Sequence, residues 1–371
     1  TDALGRFYAE TIKKSPDTPF WYNRAASFAL TQKNYDAALS FSKTALELSQ
    51  KTGVNVSKES MLPQARTALN TYLDALLFKK QYDQLITYAS QYVDSDLAFV
   101  AFAVMADAKA ELGDKAAAFN YYNKALLKAA SEDAVVLSIL QKMTTTVGRD
   151  PTIKWCTDQL KTAPDSLPIN LAMCQLMRSN NESGKAIMYI DKCIQLANTK
   201  SAAYQNFIDI KQAILVEAYK ATSDVKYLNN AIKLYEDLIA SSSSPEVGAM
   251  NNLAYLLASN DRDIDKAVEY SKRAYDVVQN NPNILDTYAY VLYKKGDYAK
   301  AFELVRSAVQ MFERTSVSAP ADVYEHVGMI SAKLGRKTEA ANAYKQALKI
   351  GGKTLSDKED QRIKAAIEAL K

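Results

Sequence analysis

The side chains that could do chemistry are few and scattered. The chain of 371 residues has one histidine, His326, within the run EHVGMI, and three cysteines, Cys156, Cys174 and Cys193. One histidine rules out a histidine-based metal cluster or an HExxH site within the sequence. No GxxxxGK[ST], GxGxxG or GxSxG run occurs, so phosphate-cradling loops and nucleophile elbows are missing. Carboxylate pairs such as Glu236 and Asp237 read as ordinary helix-surface charges. His326 reads as a polar residue of a surface or groove, because no partner for proton transfer is recognisable beside it. The expectation is a chain that is not an enzyme, with no catalytic residue, metal or cofactor.

The elements that would position these residues follow from composition and period. Apolar residues make up 48% and charged residues 24%, with 11 Gly and 9 Pro, which supplies a continuous core and too little punctuation for an all-β fold. The 46 basic and 42 acidic side chains nearly cancel and are dispersed, so nucleic acid is not an expected partner. The apolar run Leu97 to Ala106 is half the roughly 20 residues a membrane helix requires. It reads as a buried helix, and direct membrane insertion is not expected.

Ala267, Ala274 and Pro282 are followed 34 residues later by Ala301, Ala308 and Ser316. Within that period an apolar helix, a polar turn such as Lys295-Gly296-Asp297-Tyr298, and a second helix with alanines seven apart succeed one another. The segments NNLAYLLA (251–258), DTYAYVLYKKGDYAKAFELVRSAV (286–309), GRKTEAANAYKQALKI (335–350), NYDAALSFSKTALEL (34–48) and GDKAAAFNYYNKAL (113–126) carry the pattern. The chain resembles the tetratricopeptide repeat family, whose unit is a helix-turn-helix with small residues where its helices touch. The resemblance implies an all-α fold, a right-handed α-solenoid of about nine helix pairs. Units near 60–92, 133–163 and 167–197 keep the apolar rhythm and lose signature residues.

Register within the repeat gives an expected organisation. Residues 1–16 read as the second helix of an incomplete repeat, since Leu4, Tyr8 and Thr11 precede Ala38, Ser42 and Ala45 by one period; a chain cut from a longer protein is the expectation. Residues 17–165 and 166–355 form N-terminal and C-terminal sets of repeats, with Pro164 to Pro168 as the boundary. Residues 356–371 read as a capping helix, with Ile363, Ala366, Ile367 and Leu370 on one face. Irregular connections are expected at Gln50 to Ser60, at Thr199 to Lys211, where a first helix is extended, and at Phe312 to Ala321. Cys174 and Cys193 fall near the small sites of one pair and read as buried thiols in place of Ala or Gly. A Cys174–Cys193 disulfide is the competing possibility and would imply an oxidising compartment.

In the family the first helices line a concave face that holds partners. The resemblance therefore points to Asn251, Asn252 and Tyr255, to Asp286, Tyr290 and Lys294, and to Glu325, Met329 and Lys333, each group spaced to share about one helix face. Asn23, Ser27 and Thr31 face a similar way in the first half. Some family members grip a C-terminal carboxylate with Lys, Asn and Arg on these faces; Asp286 and Glu325 here argue against that ligand. The expected function is a non-catalytic scaffold for a protein or peptide, with a bacterial style pointing to envelope or polysaccharide-export assemblies and so to the periplasm. A substrate-recruiting arm of a larger enzyme and a self-associating solenoid are the alternatives.

Overall fold

In the computed structural model, residues 2–51, 58–129, 132–199, 201–241, 246–314 and 318–370 are described, and among them the chain is helical with no strand. A single helix, α1 (Asp2–Lys14), precedes nine helix pairs. These are α2 (Pro19–Thr31) with α3 (Tyr35–Gln50), α4 (Lys58–Phe78) with α5 (Tyr82–Ala89), and α6 (Ala98–Glu111) with α7 (Lys115–Lys128). Next come α8 (Asp133–Thr146) with α9 (Arg149–Thr162), α10 (Leu167–Ser179) with α11 (Ser183–Leu196), and α12 (Ala202–Thr222) with α13 (Val225–Ser241). The last three are α14 (Val247–Ser259) with α15 (Ile264–Val277), α16 (Pro282–Lys295) with α17 (Tyr298–Arg314), and α18 (Ala321–Lys333) with α19 (Lys337–Gly351). The final helix is α20 (Asp357–Glu368). The expected all-α solenoid of nine pairs with a terminal cap is the observed architecture. α12 is the long first helix expected after Thr199, whereas residues 52–57 and 315–317 of the other irregular connections lie outside the described residues.

Every pair turns on a residue with positive φ: Lys33, Lys80, Gly113, Gly148, Asn181, Ser223, Asp261, Gly296 and Gly335, with Asp263 a second such residue before α15. In seven of these turns the next amide donates to the carbonyl five residues back, as Asn34 does to Ala29 (2.9 Å) and Asp297 to Leu292 (2.9 Å). This bond satisfies a carbonyl that the helix end would leave bare. Four of the nine positions need no explanation beyond glycine, at Gly113, Gly148, Gly296 and Gly335, since glycine adopts positive φ without a Cβ clash. Asp114 and Asp297 then cap the second helix, accepting from the amides of Ala117 (2.9 Å) and Lys300 (3.3 Å).

Small residues set the helix spacing. Ala38 and Ala45, Ala118 and Ala125, Ala267 and Ala274, Ala301 and Ala308, and Ala340 and Ala347 are wholly buried in their second helices. On the first helices Ala26, Ala106, Cys174, Ala254 and Ala289 are wholly buried at one fixed place before the left-handed residue. Gly328 holds that place in α18, and a Cβ there would stand 2.6 Å from the Tyr344 ring, so α19 packs directly on backbone. Cys193 takes an alanine place in α11, and all three cysteines are free and buried. Burial pushes the thiols of Cys156, Cys174 and Cys193 up to about 12, 11 and 12.

The chain divides into two compact units, Thr1–Ile214 and Leu215–Lys371. The first has a large core running from Ala45 to Ile214, in which the Leu97 to Ala106 run of α6 is buried as expected, with Phe99 half-buried, and a small cluster of Ala29, Ala38 and Ala75. It holds both tryptophans: Trp21 edge-on to Phe7 (6.1 Å), and Trp155 donating to Asn123 Oδ1 (2.9 Å). At α1, Leu4 and Phe7 stay exposed, and Gly5, Tyr8 and Ala9 line an open cleft of about 370 Å³ against α2 and α3. The second unit has its core in α14 to α19, and α20 closes it. Ser356 and Glu359 form a reciprocal capping box at the start of α20. Ile363, 1% exposed, enters the cluster of Ala340, Tyr344 and Ala347, with Ala366, Ile367 and Leu370 packed beside it.

Candidate functional site

The first helices α14, α16 and α18 of the second unit lie side by side, because the small residues above bring each against its own second helix. Tyr255, Tyr290 and Met329 stand at the same distance before the left-handed residues Asp261, Gly296 and Gly335, and so do Asn251, Asp286 and Glu325. Equivalent positions do not end in equivalent surroundings. Tyr255 and Tyr290 approach with ring centroids 5.7 Å apart, and both reach His326, at 6.3 and 4.3 Å. A contact between α14 and α18, two pairs apart, means that this face curls tightly enough to bring alternate first helices together. Met329 instead turns under α20, beside Tyr344 and Ile363.

His326, read from the sequence as a polar residue of a surface or groove with no recognisable partner, is buried at the centre of this arrangement with a carboxylate partner. It is 5% exposed, its Nδ1 donates to both oxygens of Asp286 (2.9 and 3.0 Å), and its ring stacks on Tyr290 at 21°. Burial works to strip its proton. The Asp286 charge and hydrogen bond, with Asp322 and Glu325 adding, outweigh burial and hold its pKa above the ordinary value.

Asp286 and Glu325, expected on an exposed face, are 6% and 9% exposed. Each carboxylate is buried because it has a partner, as buried charge requires. Glu325 receives Arg362 of α20 in a two-bonded fork, Nε to Oε1 at 2.8 Å and Nη2 to Oε2 at 2.9 Å. Lys294 pairs with Asp261 at 2.5 Å and lies 5.9 Å over the Tyr290 ring. Tyr255 keeps 38% of its surface exposed, yet its hydroxyl is crowded: burial, then Asp322, Tyr290, Asp286 and Glu325, push its pKa up. Burial first, then Asp261, pushes Tyr290 up to about 12. Asn252 and Lys333 remain exposed, and Asn251 donates to Asn252 at 3.4 Å.

The structure thus brings Tyr255, Asp286, Tyr290 and Glu325 together around His326, sets Lys294, Asn251 and Asn252 along the edge, and leaves Met329 and Lys333 apart. His326 and Arg362 were the members the sequence did not flag. His326 adjoins Glu325 in EHVGMI, a signal that becomes readable only once the curl of the helices is known. In the first unit, Asn23 is buried and donates to Gln64, while Ser27 and Thr31 are exposed. A separate polar cluster lies there among the first helices α4, α6 and α8 and the second helix α7: Tyr122 and Lys142 (2.8 Å) converge on Asp107, beside Asp74, to which Asn70 donates (2.6 Å).

Among the described residues, no three His, Cys, Asp or Glu side chains gather as metal ligands do, and no helix is long and apolar enough to cross a membrane. Helix pairs of this geometry define a class, and residues 321–350, covering α18 and most of α19, match the tetratricopeptide repeat family. The chain carries a tetratricopeptide repeat at residues 321–350, within an all-helical stack of pairs of the same fold. No curated protein matches its sequence. Among solved structures it is similar to the MamA protein, at 18% identity over 50% of this chain and 92% of that one, with a TM-score of 0.34. It is similar also to PilW, described as a widely conserved type IV pilus biogenesis factor (14% identity, 62% and 97% coverage, TM-score 0.43). A third is YrrB, described as a TPR protein with an unusual peptide-binding site (15% identity, 57% and 97% coverage, TM-score 0.36).

Proposed function

We propose that the chain is a non-catalytic scaffold that holds a protein or peptide segment against the first helices of its second unit. One observation carries the reading. Tyr255 is a large aromatic left 38% exposed although its ring packs against Tyr290 and His326, with exposed Asn252 on the same helix and paired Lys294 on the next first helix. A half-exposed ring held rigid gives apolar contact area at little entropic cost, the usual character of an interface anchor. The near balance of charge favours a protein over a nucleic acid. Assembly of a bacterial envelope or polysaccharide-export complex, with a periplasmic location, is the setting we propose, on the style of segments 251–258 and 286–309.

A photoreactive amino acid placed at Asn252, Tyr255 or Lys333 tests this in the cells that make the protein. The expected outcome is one shared protein adduct from these positions and none from second-helix positions such as Lys272. With that protein purified, Tyr255→Ala should weaken binding more than about tenfold, the loss of an anchor worth above 1.4 kcal/mol, at an unchanged melting temperature. Tyr290→Ala is a poor probe, because Tyr290 is 8% exposed and supports His326. Adducts confined to second helices would overturn the assignment. Adducts to a second copy would make the chain a self-associating solenoid, and adducts to a catalytic polypeptide would make it a recruiting arm.

A further inference from the structure

Two consecutive residues of α18 tie it to helices on opposite sides. His326 is bound to Asp286 of α16, and Glu325 to Arg362 of α20. Tyr290 stacks on the imidazole and Tyr255 meets both rings, so the ties extend to α14. Of the bonds in this ladder, only the His326–Asp286 bond contains a group whose ordinary pKa lies near neutrality.

We propose that His326 is a proton-operated clasp, closing α16 onto α18 while its imidazole is charged and relaxing the first-helix face of the second unit when the proton leaves. Every charged group facing the ring takes part. Asp286 and Tyr290 face it from α16, Asp322 and Glu325 from its own helix, Tyr255 from α14, and Arg362 from α20 through Glu325. With His326 charged, Asp286, Asp322 and Glu325 are set against His326 and Arg362. With His326 neutral, the Nδ1–H can still donate to Asp286, but the three carboxylates share Arg362 as the one remaining cation of this group. A buried carboxylate left without a counter-charge is strongly unfavourable, and the strain falls on the α16–α18 contact.

The sign follows from linkage. A histidine whose folded pKa is raised gives stability that is complete below its unfolded value of 6.5 and is lost as the pH climbs through the folded value. The clasp therefore closes in mild acid and opens toward alkali.

Because the chain has one histidine, its ring protons give a single, unambiguous NMR titration in the intact protein. The expected midpoint lies above 6.5, and Asp286→Asn should lower it below the wild-type value. Amide exchange of residues 282–295 and 321–333, corrected for intrinsic base catalysis, should lose protection across that same midpoint. His326→Gln, which keeps a donor for Asp286 without the charge, should show the low protection at every pH. A wild-type midpoint at or below 6.5 overturns the proposal, and so does protection that ignores the titration. The wild-type titration needs no variant to fold.

Discussion

At the scale of single residues, the chain balances burial against charge in opposite ways in its two units. The carboxylate beside His326 favours its charged form, whereas the surroundings of Asp74 in α4 favour its neutral form. Burial first, then the neighbouring Asp107, raise the Asp74 carboxyl to about 6, while Lys142 and the Asn70 bond pull against them. A carboxyl raised in the folded state adds stability at pH below its unfolded value of 3.8, and this is lost as pH rises through about 6. Asp74→Asn keeps an acceptor for Asn70 and removes the charge. It should leave stability unchanged near pH 3 and raise it by on the order of 3 kcal/mol above pH 6. Denaturant unfolding of both proteins at the two pH values measures this, and a variant less stable at neutral pH would refute it.

At the scale of elements, the left-handed turn is the constant of the repeat. Lys80 is an exposed lysine in a conformation that costs non-glycine residues roughly 1 kcal/mol or more. Lys80→Gly should therefore raise stability by about 0.5–1 kcal/mol, read as a higher melting temperature, and an unchanged or lower value would show that the turn is held by something else. These turns also explain how far the sequence could be read. The glycine turns at Gly113, Gly296 and Gly335 announce their repeats, and the seven-residue alanine spacing announces the second helices. In the degenerate pairs of α4 with α5 and α10 with α11, Lys80 and Asn181 make the same turn without glycine, so the conformation persists where the signature residue does not. α20 was legible because its apolar face, Ile363 to Leu370, is a local pattern. The core of the site was only half legible. Register marks Tyr255, Asp286, Tyr290 and Glu325 as equivalent positions, but the curl that brings α14 to α18 is a sum of small rotations that no single repeat encodes. Burial of Asp286 depended on His326, forty residues away, and burial of Glu325 on a helix outside the repeats.

At the scale of the whole molecule, a stack in which each pair leans on its neighbours should fail locally. Ala301 is wholly buried in α17, and an aspartate there would be both too large and an unpaired buried charge, costing more than about 3 kcal/mol. Ala301→Asp should strip exchange protection from residues of the second unit while those of the first keep theirs, since the large Ala45 to Ile214 core lies within the first unit. Loss of protection along the whole chain would mean that the units melt as one.

The placement of both indoles in the first unit makes such an experiment optically simple. Trp21 and Trp155 both precede Ile214, and the second unit carries no tryptophan. Excitation at the red edge of protein absorption, where only indole responds, illuminates one unit and leaves the other dark. The histidine resonance reports solely on the unit that indole emission cannot see. One unmodified sample thus carries two independent gauges, each assigned to its unit by the sequence.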